Sequence, residues 1–265
     1  LHLLARKNAS DPAEARRHFH QALRILQSGN LLEEALSMGE REIGSLADDP
    51  ETLLLITRLA RAAGRPDVAD RYVRHLLKLA LLQQWRALEM ARAWGDGSLQ
   101  KASQQAKASG PGIAFDDNIY TLGYEVFLEN RKLEDAWRVA DSAVRQAPGN
   151  QAWRERLAQV AEWTGRPQQA LKNWLALAQS GYGEAAWDSV LRLAPGLFDD
   201  SALIPALHHQ ITRRPGDFRL VRELVAAYER QGNQQAAIQY MQRLTQNARH
   251  PALPDALLLL AELAE

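Results

Sequence analysis

A small residue returns every 33 or 34 positions along most of this chain: Ala35, Ala69, Ala102, Ala136, Ala170, then Leu203 in its place, and Ala237. The surroundings recur with it. Glycine stands five residues earlier at Gly64, Gly97, Gly165 and Gly232, and proline twelve residues later at Pro148 and Pro215. A period of about 34 residues built from two helical segments is the mark of a helix–turn–helix solenoid. Alanine suits the anchor because the second helix of each unit must cross the first closely, and a larger side chain would hold them apart.

The pattern predicts an all-α, right-handed superhelical tetratricopeptide-repeat solenoid over residues 1–265, a single domain of about seven helix–turn–helix repeats with partial flanking helices. Residues 1–10 read as the last turns of a helix. Asp11-Pro12 opens the next one, with aspartate as cap and proline in the first helical position, and Gly29 closes it. The second helix, around Ala35, is expected to run on until Pro50 stops it. A partial helix is expected over about 252–264. The repeats around 83–115 and 184–215 are weak: residues 98–108 offer only small apolar side chains, followed by Ser109-Gly110-Pro111-Gly112. The later one carries Pro195-Gly196, and Pro205 inside its nominal second helix, which is tolerable in that helix's first turn. Either a hinge or a degenerate repeat fits both places. Trp85, Trp153, Trp174 and Trp187 are expected to pack between helices.

Composition excludes several function classes. Thirty-two basic residues balance thirty-two acidic ones, which argues against the basic face that nucleic acid requires. The absence of cysteine removes disulfides and thiolate metal sites. The longest apolar run, Ala256 to Ala261, falls far short of the roughly 20 residues of a membrane span, so no membrane contact is expected of this segment. The start at Leu1 and the stop at Glu265 read as a piece of a longer protein.

Catalytic constellations are weak. His18-Phe19-His20 and His208-His209 have the wrong spacing for one helix face and read as surface histidines. Asp116-Asp117 and Asp199-Asp200 stand before helices, where caps belong. Gly181-Tyr182-Gly183 lacks the third glycine and the strand of a dinucleotide site. Neither an enzyme, a cofactor nor a metal is expected.

In such arrays the first helix of each unit lines the concave groove. With the anchor as position 20, slots 2, 5, 9 and 12 project Glu51, Leu54, Arg58 and Arg61, then Glu125 and Leu128 with Glu129 adjoining. They go on to Glu155, Gln159 and Glu162, then Asp188 and Arg192, then Arg219, Arg222 and Glu229. The middle is acidic and both ends are basic. A solvated face of mixed charge would look the same. Glu155, Glu162 and Asp188 are the group best placed to focus a field on a cationic partner. The pairs at slots 5 and 9 (Leu54/Arg58, Thr121/Glu125, Glu155/Gln159, Asp188/Arg192) lack the Lys and Asn of arrays that clamp an acidic C-terminal tail.

The run Gln159-Val160-Ala161-Glu162-Trp163-Thr164-Gly165-Arg166-Pro167, with Ala170-Leu171 and Trp174-Leu175-Ala176-Leu177-Ala178, resembles the periplasmic repeat region of the Pel exopolysaccharide outer-membrane exporters. That specific match is confined to this run, while the repeat pattern covers nearly the whole chain. The resemblance implies a periplasmic scaffold preceding a β-barrel, binding a polysaccharide deacetylase/hydrolase and guiding polymer to the pore. A cationic exopolysaccharide would suit the acidic slots. A cytoplasmic adaptor for a peptide segment is the competing expectation.

Overall fold

The computed structural model describes residues 11–93, 115–246 and 253–262, and among these it holds thirteen α-helices and no strand. They fall into two compact units, Leu1–Trp153 and Arg154–Glu265. The first contains α1 (Pro12–Ser28), α2 (Leu32–Glu42), α3 (Pro50–Ala62), α4 (Pro66–Ala93), α5 (Asp117–Glu129) and α6 (Leu133–Gln146). The division falls within α7 (Gln151–Trp163). The second unit continues with α8 (Pro167–Gln179), α9 (Glu184–Leu193), α10 (Asp200–Arg213), α11 (Phe218–Arg230), α12 (Gln234–Gln246) and α13 (Leu253–Glu262). Inside each unit the substantial helix contacts join a helix to the next one or the next but one. That local contact pattern is the property that defines a repeat stack.

First and second helices begin differently in several of the pairs, although the second helix α10 is capped by Asp199 and the first helix α9 has no side-chain cap. The first helices α1, α3, α5 and α11 open on aspartates whose carboxylates accept backbone N–H groups: Asp11 from Ala13, Asp49 from Thr52, Asp116 from Asn118 and Ile119, and Asp217 from Arg219. The second helices α2, α6 and α8 have no side-chain cap. They emerge directly from a turn whose residue five before the anchor is left-handed in every described pair. The φ values are 59° at Asn30, 69° at Gly64, 57° at Arg131, 70° at Gly165, 54° at Phe198 and 71° at Gly232. At each turn the following N–H reaches back to a carbonyl five residues earlier, as from Arg65 to Ala60 and from Arg166 to Ala161, both 2.8 Å. This is the Schellman closure, and it satisfies carbonyls that the helix end leaves open. The turn is therefore a property of the repeat, and glycine only eases it.

The anchors lie where the period puts them. Ala35, Ala69, Ala136, Ala170 and Ala237 are fully buried, and Leu203 is nearly so. Trp153 and Trp174 are buried, the first with its ring edge-on to Tyr120 and Tyr124. Trp187 is only half-buried and stacks on His209, with ring centroids 4.8 Å apart.

Several expectations need correction. Gly29 does not close α1 in the left-handed form: its φ is −79°, and Asn30 takes that conformation instead. Pro50 does not stop the second helix. α2 ends at Glu42, a 3₁₀ turn spans Gly44–Leu46, and Pro50 opens α3 behind its Asp49 cap. Pro205 is not in the first turn of α10 but at its sixth residue, so the Ser201 carbonyl loses its usual N–H partner while the helix runs on. The described residues hold six helix pairs and a following helix, and most of the third of the expected units falls outside them. Helix α4 runs unbroken from Pro66 to Ala93, because no glycine or further proline interrupts that stretch. Residues 1–10, Ala102, Gly97, the 98–108 segment and the Ser109–Gly112 break lie outside the described residues, as does the side chain of Trp85.

Helix α5 packs directly on α3 and α4. Gly123 of α5 sits where an added methyl would touch Leu77 at 3.5 Å and Val73 at 3.7 Å. The turn before α6 is tied to α4 as well: Lys132 reaches Asp70 at 2.7 Å, Arg74 reaches Asp135 at 2.5 Å, and the Asn130 amide donates to the Pro66 carbonyl.

Candidate functional site

The projected slots resolve into two separate clusters, one in each unit. In the first, Arg61 near the end of α3 donates to Glu125 at 2.6 Å and to Glu129 at 2.5 Å. Hydrogen bonding to Glu129, opposed by partial burial and helped by Glu125, raises the Arg61 pKa above its already high value. Arg58, one turn earlier, is exposed and contributes no member to this cluster.

In the second unit, Glu155, Gln159 and Glu162 share one face of α7, as their spacing demands. Glu155 accepts from the Tyr182 hydroxyl at 2.6 Å and, at 3.4 Å, from the Gln159 amide. The Tyr182 phenol is pushed up first by that bond to Glu155, since ionising it would set two anions together. Glu162 accepts the Trp174 indole N–H at 2.7 Å and binds Arg192 of α9 at 2.8 Å. Asp188, also on α9, meets the Gln210 amide at 3.4 Å and is otherwise exposed.

The acidic centre is thus unevenly available. Glu162 already carries a cation and an indole donor. Glu155 holds one neutral donor at short range, and Asp188 faces water. Arg219, at the basic end, is 91% exposed and folds back on its own Asp217; Arg222 is exposed.

The sequence did not point to Tyr182 or Trp174 as partners of these carboxylates. Tyr182 stands in a Gly-Tyr-Gly run that looks like a loop, and its reach to Glu155 depends on α8 folding back along α7. Trp174 read only as core, and its polar edge is what counts here.

All four histidines expected on the surface, His18, His20, His208 and His209, are half-buried. His20 bonds the Thr52 hydroxyl at 2.8 Å, and His208 bonds the Tyr228 hydroxyl at 2.9 Å with Tyr240 edge-on to its ring. Burial lowers both pKa values. Among the described residues, no group of three His, Asp or Glu side chains is placed to hold a metal ion, and no helix is long and apolar enough to cross a membrane.

Paired helices, buried small anchors and a repeated left-handed turn define a helical-repeat scaffold of the tetratricopeptide type. No family model matches the sequence, and no curated protein matches it. Among solved structures, the chain is similar to the TPR domain of P58(IPK), at 12% identity over 94% of this chain and 98% of that one, with a TM-score of 0.22. The repeat class rests on the turns and anchors described above.

Proposed function

We propose that this chain is a periplasmic binding scaffold of an exopolysaccharide secretion system. It docks the polysaccharide deacetylase/hydrolase and passes polymer toward an outer-membrane β-barrel pore. Two things support the reading: the resemblance carried by residues 159–178, and a scaffold architecture whose first helices present carboxylates outward. The observation that carries the polymer contact is the pair Glu155 and Asp188, neither of which is ion-paired to a cation among the described residues, next to the compensated Glu162. Partly deacetylated amino-sugar polymer is cationic, and carboxylates left without counter-ions attract it. Binding and positioning are the whole mechanism here, with no bond made or broken.

The test reverses Glu155 and Asp188 to lysine and leaves Glu162 in place, because removing Glu162 would also strip Arg192 and Trp174 of their acceptor. Calorimetric titration with a glucosamine oligomer should show affinity weakened by about tenfold, the effect of roughly 1.4 kcal/mol. Unchanged affinity would remove the polymer contact from this face. Binding of the modifying enzyme, measured on the same variants, reports separately on the docking role.

A further inference from the structure

The turn between α9 and α10 holds Phe198 in the position where the other described repeats place Asn30, Gly64, Arg131, Gly165 and Gly232, all left-handed. An aromatic residue is poorly suited to that conformation, which costs an ordinary side chain free energy that glycine escapes. No burial offsets it, since the ring is 91% exposed. The turn is nevertheless tightly built. Phe198 donates its N–H to Pro195 at the end of a 3₁₀ turn, and Asp199 donates to Ala194. One repeat earlier, at the same end of the neighbouring first helix, Trp163 is 55% exposed. The two helix ends are linked by the bond from Arg192 to Glu162.

We infer that this edge of the second unit, with Phe198 as its projecting anchor, docks a folded protein that offers a ring-sized apolar pocket. The turn's hydrogen bonds fix the backbone that carries the ring, and a backbone already ordered lowers the cost of binding. Its flanks are ion pairs, Glu162–Arg192 on one side and Asp200–Arg230 on the other. An apolar centre with a charged but internally compensated rim is the anatomy of a protein interface. An anionic bilayer would call for uncompensated cations around the ring, and the named flanking arginines are already paired. The inference stands apart from the polymer contact, since it uses neither Glu155 nor Asp188.

The experiment places a benzoylphenylalanine photo-crosslinker at position 198 of the full-length protein in its native host, with position 41, exposed on α2 and outside the projected slots, as a control. The expected result is one discrete protein adduct at 198 and none at 41. Affinity of that purified protein should then fall at least tenfold on Phe198→Asn, with a melting temperature equal to or above the parent's. Asparagine already occupies the matching position at Asn30, so loss of binding cannot be put down to misfolding. Absence of an adduct, an adduct to lipid, an adduct only to a second copy of the chain, or undiminished binding by Phe198→Asn would each overturn the inference.

Discussion

Arg61 on α3 binds Glu125 on α5 at 2.6 Å, and Glu162 on α7 binds Arg192 on α9 at 2.8 Å. The two bonds link the same repeat positions, slot 12 of one first helix to slot 9 of another, with the charges exchanged. Along the chain, however, the partners of the first bond lie one whole repeat further apart than those of the second. Helix α5 therefore touches α3 although a whole repeat of sequence separates them.

Because Arg61 faces two carboxylates, Arg61→Ala leaves Glu125 and Glu129 opposed. The unfolding free energy should fall by about 1 kcal/mol, a figure held low by partial exposure. Since the opposite polarity works in the second unit, Arg61→Glu combined with Glu125→Arg should recover part of the loss that Arg61→Glu causes alone. Urea titrations of the single and double variants measure the coupling, and it should shrink in about 1 M salt, where screening acts within about 3 Å.

The turns separate glycines that matter from those that do not. Gly165 has φ +70° with nothing within 4 Å of an added methyl, so Gly165→Ala should cost about 1–2 kcal/mol from the backbone alone. Gly29→Ala should stay within about 0.5 kcal/mol, its φ being −79° and the nearest contacts to an added methyl an ordinary 3.5 Å. Arg131→Gly, at φ 57°, should gain up to about 1 kcal/mol. Thermal unfolding of the three variants ranks them.

Close packing at the anchors predicts an asymmetric response to size. Ala170→Leu forces α7 and α8 apart around a fully buried position and should cost about 1–3 kcal/mol or more. Gly123→Ala only brings a methyl into normal contact with Leu77 and Val73. It should be stabilising by up to about 1 kcal/mol through helix propensity. Gly123→Leu should instead disrupt the α4–α5 contact, visible as faster hydrogen exchange in both helices.

Stability should fall on mild acidification. His20 and His208 both have folded-state pKa values lowered by burial, with Arg243 adding to the effect at His208 and the nearby Asp49 and Glu51 opposing it at His20. The folded protein therefore favours the neutral rings, while the unfolded chain takes up protons near pH ~6.5. Their contribution is complete above that pH and drains away as pH falls through the folded values. Unfolding measured from about pH 7.5 to 5.5 should show the decline, and His208→Phe should reduce its slope. Asp49 and Asp70 act in a separate, more acidic window. Burial would raise them, but hydrogen bonds from Thr52 and Arg16, and from Lys132 and Arg74, hold them below the usual carboxylate range.

What the amino-acid sequence determined by itself was the repeating unit. A regularly recurring small anchor, aspartate before proline, and glycine just ahead of the anchor act through local sterics and local hydrogen bonds, and these do not depend on distant parts of the chain. The caps at Asp11, Asp116 and Asp199, the buried alanines and the edges of most helices were legible on that ground. Tertiary structure alone decided which repeats touch. Nothing in the spacing of Arg61 and Glu125 shows that α5 touches α3, because that contact arises from the packing of helices far apart in the sequence. For the same reason the slots named charged residues but not their charge balance. Whether Glu162 is compensated and Asp188 is not depends on which side chains a neighbouring helix brings within about 3 Å, the range in which a hydrogen bond holds.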